Sequence, residues 1–413
     1  MRRSNRGAMV RGLVSLMVLA HLTACDGTGQ PPFSPCERAE PELVFRKTDS
    51  AGVSLHVTGC EAARGPLDWV VDPEPALELG RGSDMEQQFH EIRGVLSLPG
   101  GRLVVLDRGT RQLRFFDSQG QLLHTRGGKG IGPGEFQIPY LIATSTDDRV
   151  VVWDQQTRRF TSYPADGSGD PPELSDGRWI PVHSKPLGVA GDKILVRRAV
   201  DDYSEMGLLE QDVTILWDRG KGGGQVLHRD RVPWLYRVKE GGQIYGCNPP
   251  FERSPTATLT RTGAALTSGK HFEVLEFDTA GALTRILRVD RMREPVLPSI
   301  FEEYVEIAIQ QGRGSEIFWS HLTDVPLPDS MPAFTQILID DLDWTWAKIS
   351  EWDARIVQPW MIFDPEGRAR GIIELPPGLQ VRHVGSDFIL GTSETSLGVE
   401  IVRRYTLRRT HEP

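Results

Sequence analysis

Three carboxylates crowd the segment Asp340-Asp-Leu-Asp343. Hard oxygen donors at that density suit Ca²⁺, which takes roughly six to eight oxygens at about 2.3–2.6 Å. The segment lacks the central glycine and the distal glutamate of a helix-loop-helix calcium site, so Asp340, Asp341 and Asp343 form an incomplete ligand pattern. Ca²⁺ is the one metal they could hold, and no metal or cofactor is assigned. The ten histidines are scattered, with neither His-x-x-x-His nor His-Glu-x-x-His, so a zinc site would have to be gathered from separate parts of the chain. No Gly-x-Ser-x-Gly is present, and no cysteine has a readable catalytic neighbourhood. No catalytic residue is assigned.

The run Gly127-Gly-Lys-Gly-Ile-Gly-Pro-Gly-Glu-Phe136 offers glycine amides to an anion. A nucleotide loop, however, needs Gly-Lys followed by Ser or Thr, or a strand-to-helix setting, and here Lys129 precedes Gly130 among strand signals. Gly132, Pro133, Gly134, Glu135 and Phe136 read instead as a structural turn: the glycines permit positive φ, the proline stiffens it, and Phe136 plugs a gap between sheets.

The remaining chemistry lies at the N-terminus. Arg2, Arg3, Arg6 and Arg11 precede an apolar run from Leu13 to Leu22, then Thr23-Ala24-Cys25. This pattern reads as a secretion signal over residues 1–24. Leu22-Thr-Ala-Cys25 resembles the bacterial lipobox, in which the cysteine thiol is acylated and becomes the new N-terminus. Each buried methylene of an acyl chain contributes about 0.8 kcal/mol, so several chains on Cys25 hold a protein to membrane lipid without a spanning helix. Residues 25–42, rich in Gly, Pro and charge, read as a flexible tether. An oxidising compartment permits Cys36 to pair with Cys60, pinning the tether to the first strand. Loss of the four signal arginines takes the net charge from −9 to −13. That acidity offers no footprint for nucleic acid.

The elements that must position any site follow a repeat. Leu79 to Phe89 lies over Arg126 to Phe136, and Arg102-Leu-Val-Val-Leu-Asp107 over Arg149-Val-Val-Val-Trp-Asp154, each at an offset of 47 residues. Short apolar runs closed by Asp-x-x-Gly turns recur through the chain, a spacing that marks an all-β propeller of four-stranded antiparallel blades over 43–410. An N-terminal strand, from the pair Leu43–Arg46 and Val53–Val57, is expected to complete the last blade and hide its edge. The count becomes six, with seven as the alternative. Apolar spacings of three and four after Ile300 predict a helical insertion over 296–330, and loops 200–212, 230–256 and 296–333 break the period.

The Gly127–Phe136 run, Pro249-Pro-Phe251 with the Phe272–Val274 strand, and Trp360-Met-Ile-Phe-Asp-Pro-Glu-Gly367 with Leu375-Pro-Pro377 resemble the six-bladed β-propeller lipoproteins of bacteria, relatives of the NHL-repeat propellers. The family usually places a glycine turn where this chain has Asp340–Asp343. Such a resemblance implies a cell-envelope propeller, anchored to the periplasmic or surface side of a membrane. A lipid anchor with a propeller that shows no catalytic set leads to the expectation of a binding or scaffold module for a protein, peptide or glycan at the channel mouth; the alternative, drawn from six-bladed relatives, is a metal-dependent enzyme of lactonase, amidating-lyase or streptogramin-lyase type. The aromatic-rich second half, including Trp344, Trp346 and Trp360, is expected to pack between blades.

Overall fold

Why Leu103-Val-Val-Leu106 is apolar at every position, instead of alternating, follows from where its side chains go. Leu103 and Val105 enter one apolar cluster, Val104 and Leu106 another on the opposite face of the strand. The same division holds 47 residues on, where Val150 and Val152 join Val104 and Leu106 while Val151 and Trp153 face away. A strand buried on both faces needs a continuous apolar run.

The protein is seen in a computed structural model describing residues 36, 42–65, 67–82, 88–144, 149–168, 172–178, 180, 184–190, 193–201, 206–218, 224–310, 325–350 and 358–409. Its strands form six sheets, numbered here in chain order. Sheet 1 is Ile92–Leu98, Arg102–Asp107, Gln112–Phe116 and Leu122–Gly127. Sheet 2 runs from Pro139 to Asp176, sheet 3 from Ser184 to Cys247, sheet 4 from Thr256 to Asp290, sheet 5 from Phe334 to Leu375, and sheet 6 from Gln380 to Arg409. The first strands of successive sheets touch in order, from Ile92–Leu98 round to Gln380–Val384, which touches Ile92–Leu98 again. Six buried apolar clusters fill the six junctions between neighbouring sheets. A closed ring of sheets with the core divided into wedges is a β-propeller.

Closure differs from the sequence expectation in one respect. The hairpin Phe45–Ser50 with Val53–Gly59 does not complete the last sheet; Val53–Gly59 lies parallel to Leu283–Asp290 on the outside of sheet 4. The completing segments come next in the chain: Trp69–Val71 and Leu77–Leu79 both pair antiparallel with Glu400–Arg409. Sequence pattern could not assign these three-residue strands, because so short a run has no period. Their side chains account for their position. Leu79 is buried among Phe89, Phe116, Leu390 and Val402, and Trp69 sits edge-on to Trp344 at 4.8 Å. Blades are also not uniformly four-stranded, since sheet 3 has five strands and sheet 4, with the hairpin, has six.

The displaced hairpin straps sheet 4 to sheet 5. Thr58 Oγ1 accepts the Ala369 N–H at 3.0 Å, and His56 Nδ1 donates to the Glu366 carbonyl at 2.7 Å. That carbonyl fixes the tautomer, leaving His56 Nε2 to accept from the Ser54 hydroxyl at 2.9 Å. Behind the hairpin, the helix Cys60–Arg64 is joined to Cys36 by a disulfide with Cα atoms 5.5 Å apart. A loop of that size gives about 3 kcal/mol in the chain-entropy account.

Two outcomes follow. Truncation of residues 26–60 removes the strap but keeps the closing strands, so cooperative thermal unfolding persists at a lower midpoint, whereas truncation to residue 80 abolishes it. If the two truncations behaved alike, the hairpin and not Trp69–Leu79 would be closing the ring. Burial, assisted by Arg285 and Lys47 and opposed by the Glu366 carbonyl and Glu276, holds the His56 pKa below its ordinary value. The unfolded chain therefore takes up this proton at a higher pH than the folded one. The contribution is complete above about pH 6.5, the unfolded value, and is lost as pH falls from there through the lower folded pKa. The fall in thermal midpoint from about pH 7.5 to about pH 5.5 should be shallower in His56→Gln; equal slopes would exclude His56 as a contributor.

Candidate functional site

The Gly132–Phe136 turn is committed to packing. Phe136 is fully buried between sheets 1 and 2, beside Phe115 and Tyr163. Glu135 Oε2 accepts the Gly132 N–H at 2.8 Å, Tyr163 donates its hydroxyl to the Gly134 carbonyl at 3.2 Å, and Arg159 donates to the carbonyls of Gly132 and Glu135. At Gly127, whose φ is +94°, a Cβ would lie 2.9 Å from the Phe136 ring. The glycine there makes room for the plug, and the amides are turned to the protein itself.

The acidic segment also serves the fold. Asp340 Oδ1 accepts the N–H groups of Leu342 and Trp344, and its Oδ2 accepts from Trp346 Nε1 and Arg409, both at 2.8 Å. The Asp340 side chain is 0% exposed and that of Arg409 7%. Asp341 pairs with His383 at 2.9 Å, and Asp343 with Arg261 at 2.6 Å. The three carboxylates thus point to three different partners and do not assemble a calcium shell. Asp343 occupies the usual glycine position of the turn at φ +63°, so the hairpin Phe334–Ile339 with Thr345–Ile349 keeps its antiparallel register without glycine. Among the described residues no group of three or more His, Cys, Asp or Glu side chains could hold a metal ion. Trp344, Trp346 and Trp360 pack with Trp69 between sheets 5 and 6. Cys25 and the signal segment lie outside the described residues, as do Trp319 and Trp352.

Side chains that the repeat does not require gather elsewhere. Take as upper the end of the ring at which the second strand of each sheet finishes. The departures from the 47-residue period converge there. In sheet 3, Gly207–Asp218 and the sixteen-residue strand Gln225–Glu240 extend past the other sheets, and Gln243–Cys247 adds a further strand. Much of 230–256, expected as loop, is therefore hairpin. The helix Pro298–Gln310 joins it around the buried Val325, which Phe301, Tyr304 and Val305 of the helix and Tyr236 of the hairpin all cover.

Inside this rim the first strands carry β-bulges near their upper ends, at Arg93, Tyr140, Thr335 and Arg382. A bulge re-aims one side chain. Arg93 and Tyr140 occupy the same slot 47 residues apart. Arg108 links them, donating to Glu91 at 2.6 Å and to the Tyr140 hydroxyl at 3.1 Å, while Glu91 also pairs with Arg93. Against its burial, these two arginines bring the Glu91 carboxyl below its ordinary pKa.

The charges at the rim reach across the ring. Burial, then Arg197, Arg382 and Arg93, push the Lys185 ammonium below its ordinary pKa. Arg382 is lowered by burial and by Arg93, with Glu400 opposing. Arg93, Lys185 and Arg382 lie near the upper ends of the first strands of sheets 1, 3 and 6, the strands that touch one another round the ring. Lys185, Arg93 and Arg382 are nonetheless exposed. Glu400 is pushed up by burial and by Glu394 and Asp107, against the Ile92 N–H that it accepts at 2.7 Å and against Arg93. None of these cations stood out in the sequence; the one available signal was Arg93 in the Tyr140 slot.

A concavity of about 790 Å³ opens at the lower end and includes Ser118, Asp341, His383 and Arg404. Arg404 donates there to the carbonyls of Gly101 and Ser118, and His383 bonds Asp341 through Nε2, while its Nδ1 is buried and makes no hydrogen bond.

No family model matches the chain, and no curated protein does. Among solved structures it is similar to a protein from Bacteroides fragilis described as exported (9% identity, 86% of this chain and 100% of that one, TM-score 0.45). It is also similar to a member of a family of unknown function from Bacteroides vulgatus (9%, 83% and 99%, TM-score 0.46). A gluconolactonase from Xanthomonas campestris is a third (15%, 84% and 99%, TM-score 0.37). Likenesses this distant carry no inference about activity, and the propeller rests on the ring of sheets itself.

Asp340→Ala is expected to lower stability by about 3–5 kcal/mol in thermal unfolding, because it strands the buried Arg409 charge. Asp343→Gly should change it by less than about 1 kcal/mol. Added Ca²⁺ should leave the midpoint of wild type unchanged; a saturable rise that Asp341→Ala and Asp343→Gly remove would restore the metal reading.

Proposed function

We propose that this protein is an exported, lipid-anchored component of the bacterial cell envelope whose six-bladed propeller is a binding module. The upper mouth of its central channel engages a protein, peptide or glycan. The observation that supports this most is the convergence of the long sheet 3 hairpin, the Pro298–Gln310 helix and the bulged side chains of the first strands on that one end. Residues that a repeat does not need for blade geometry are free to meet a ligand, and loops and insertions on a rigid scaffold commonly do so. The lipobox at Cys25 supplies the anchor. Among the described residues no helix is long and apolar enough to cross a membrane.

The enzyme alternative requires a metal held on the axis. The groups described at the upper mouth are chiefly cationic, which opposes a divalent cation, so no step through a metal is derived. Protein purified without chelator and submitted to elemental analysis decides between the two: stoichiometric Ca or Zn would favour the enzyme. The anchor has a separate test. Cys25→Ala should lose acyl labelling and detergent partitioning, and a variant still fractionating as a lipoprotein would remove the lipobox assignment.

A further inference from the structure

Large apolar side chains exposed singly over a surface need no explanation, but here the turns at one end of the ring collect them. Leu397, between the second and third strands of sheet 6, is 89% exposed, and Ile131, between sheets 1 and 2, is 73% exposed. Met206, just before Gly207–Asp218, and Ile244, at the start of Gln243–Cys247, are exposed at the top of sheet 3. All four are at the upper end. Ile244 stands opposite the exposed Lys239, and the exposed Lys129 is two residues from Ile131. Among the described residues the lower turns offer only Leu342, 37% exposed, while Leu123 and Val226 belong to outer strands. The N-terminal segment arrives at the same upper end. Val53–Gly59 runs parallel to Leu283–Asp290, which finishes there, so Cys60 is there too, and its disulfide holds Cys36 beside it.

We infer that the upper face docks on the bilayer that holds the Cys25 anchor, with Ile131, Met206, Ile244 and Leu397 entering the headgroup boundary. The inference rests on the anchor reading, and it limits ligands of the channel mouth to those presented at that membrane surface. Ten residues separate Cys25 from Cys36. Eleven peptide steps reach at most about 40 Å, whereas a strand of seven residues is about 24 Å long. Laying the lower face on the bilayer would therefore take the segment down the whole height of sheet 4, using more than half of its reach and costing conformational entropy. It would also bring to the lipid the turns poorest in exposed apolar surface. Upper docking needs neither. Apolar tips beside lysines suit the interface, where the apolar part is buried and the ammonium stays among the headgroups. With the anchor already inserted, contacts that are weak singly act at high effective concentration.

The test uses the whole acylated protein in vesicles of phosphatidylethanolamine and phosphatidylglycerol, with a photoreactive diazirine side chain in place of Leu397, Ile244 or Leu342 in separate samples. Lipid adducts are counted by mass spectrometry after illumination. Those from positions 397 and 244 should exceed those from 342 by about fivefold or more. With the probe at 397, Ile131→Ser together with Ile244→Ser should lower the yield by about threefold or more. The thermal midpoint of that variant should match the unsubstituted protein, because both side chains are exposed, and this shows that it folds. Equal yields from 397 and 342, or a yield at 397 that the double substitution leaves unchanged, overturns the proposal. Adducts to an envelope protein in whole cells, with none to lipid in vesicles, would overturn the bilayer as the occupant. Acyl labelling of Cys25 in the same samples separates the two readings. Absence of an acyl chain removes the anchor and this inference with it, whereas acylated protein without upper-face adducts overturns the docking and leaves the anchor standing.

Discussion

The last strand, Glu400–Arg409, must find a partner from the other end of the chain, and the rest of the molecule depends on its doing so. A ring of sheets left open exposes two apolar faces and leaves the last strand without its outer partner, while a closed one covers both faces and leaves only the short outer edges of the blades. Here the partners are Trp69–Val71 and Leu77–Leu79. Charge and aromatic contacts reinforce the junction. The Arg409 guanidinium lies 4.4 Å from the Trp69 ring centroid while its nitrogen bonds to Asp340, and Arg403 pairs with Glu78 at 2.8 Å. One buried carboxylate therefore ties the hairpin of sheet 5, the last strand and the closing strand together.

Acid and base have separate duties in this ring. Asp107 and Asp154, both fully buried, end the second strands of sheets 1 and 2 and accept backbone N–H groups from the turn that follows and the loop that precedes. A carboxylate in that position satisfies donors that no strand ladder reaches. Asp117, Asp278 and Asp364 do the same for the outer hairpins. At the upper end, β-bulges re-aim Arg93 and Arg382 on strands whose positions are decided by the six apolar wedges; Arg93 there pairs with Glu91 and Arg382 donates to the Gln380 amide oxygen.

Much of this was legible in the chain because a repeat writes the same physical demand twice. Leu103–Leu106 and Val150–Trp153 are apolar throughout because each strand lies between two wedges, and Phe136 with its glycines announces a plug. The Asp340–Asp343 carboxylates looked like possible ligands because composition records donor atoms but not what they face. The hairpin at 45–59 read as the closing pair because it had the clearest strand pattern near the N-terminus. It was too far upstream: the closing strands are short, and their identity depends on which apolar surface they cover.

What the sequence determined by itself was everything carried by local periodicity: the all-β class, the blade repeat, the Asp-x-x-Gly turns and the helix after Pro298. Tertiary structure alone decided which segment closes the ring, that Asp340 belongs to Arg409, and that Arg93, Lys185 and Arg382 lie at one end of the ring. The reason is distance along the chain. Closure joins residues more than three hundred positions apart, and the upper mouth is lined by strand ends from sheets 1, 3 and 6, so no window of sequence contains both halves of either arrangement.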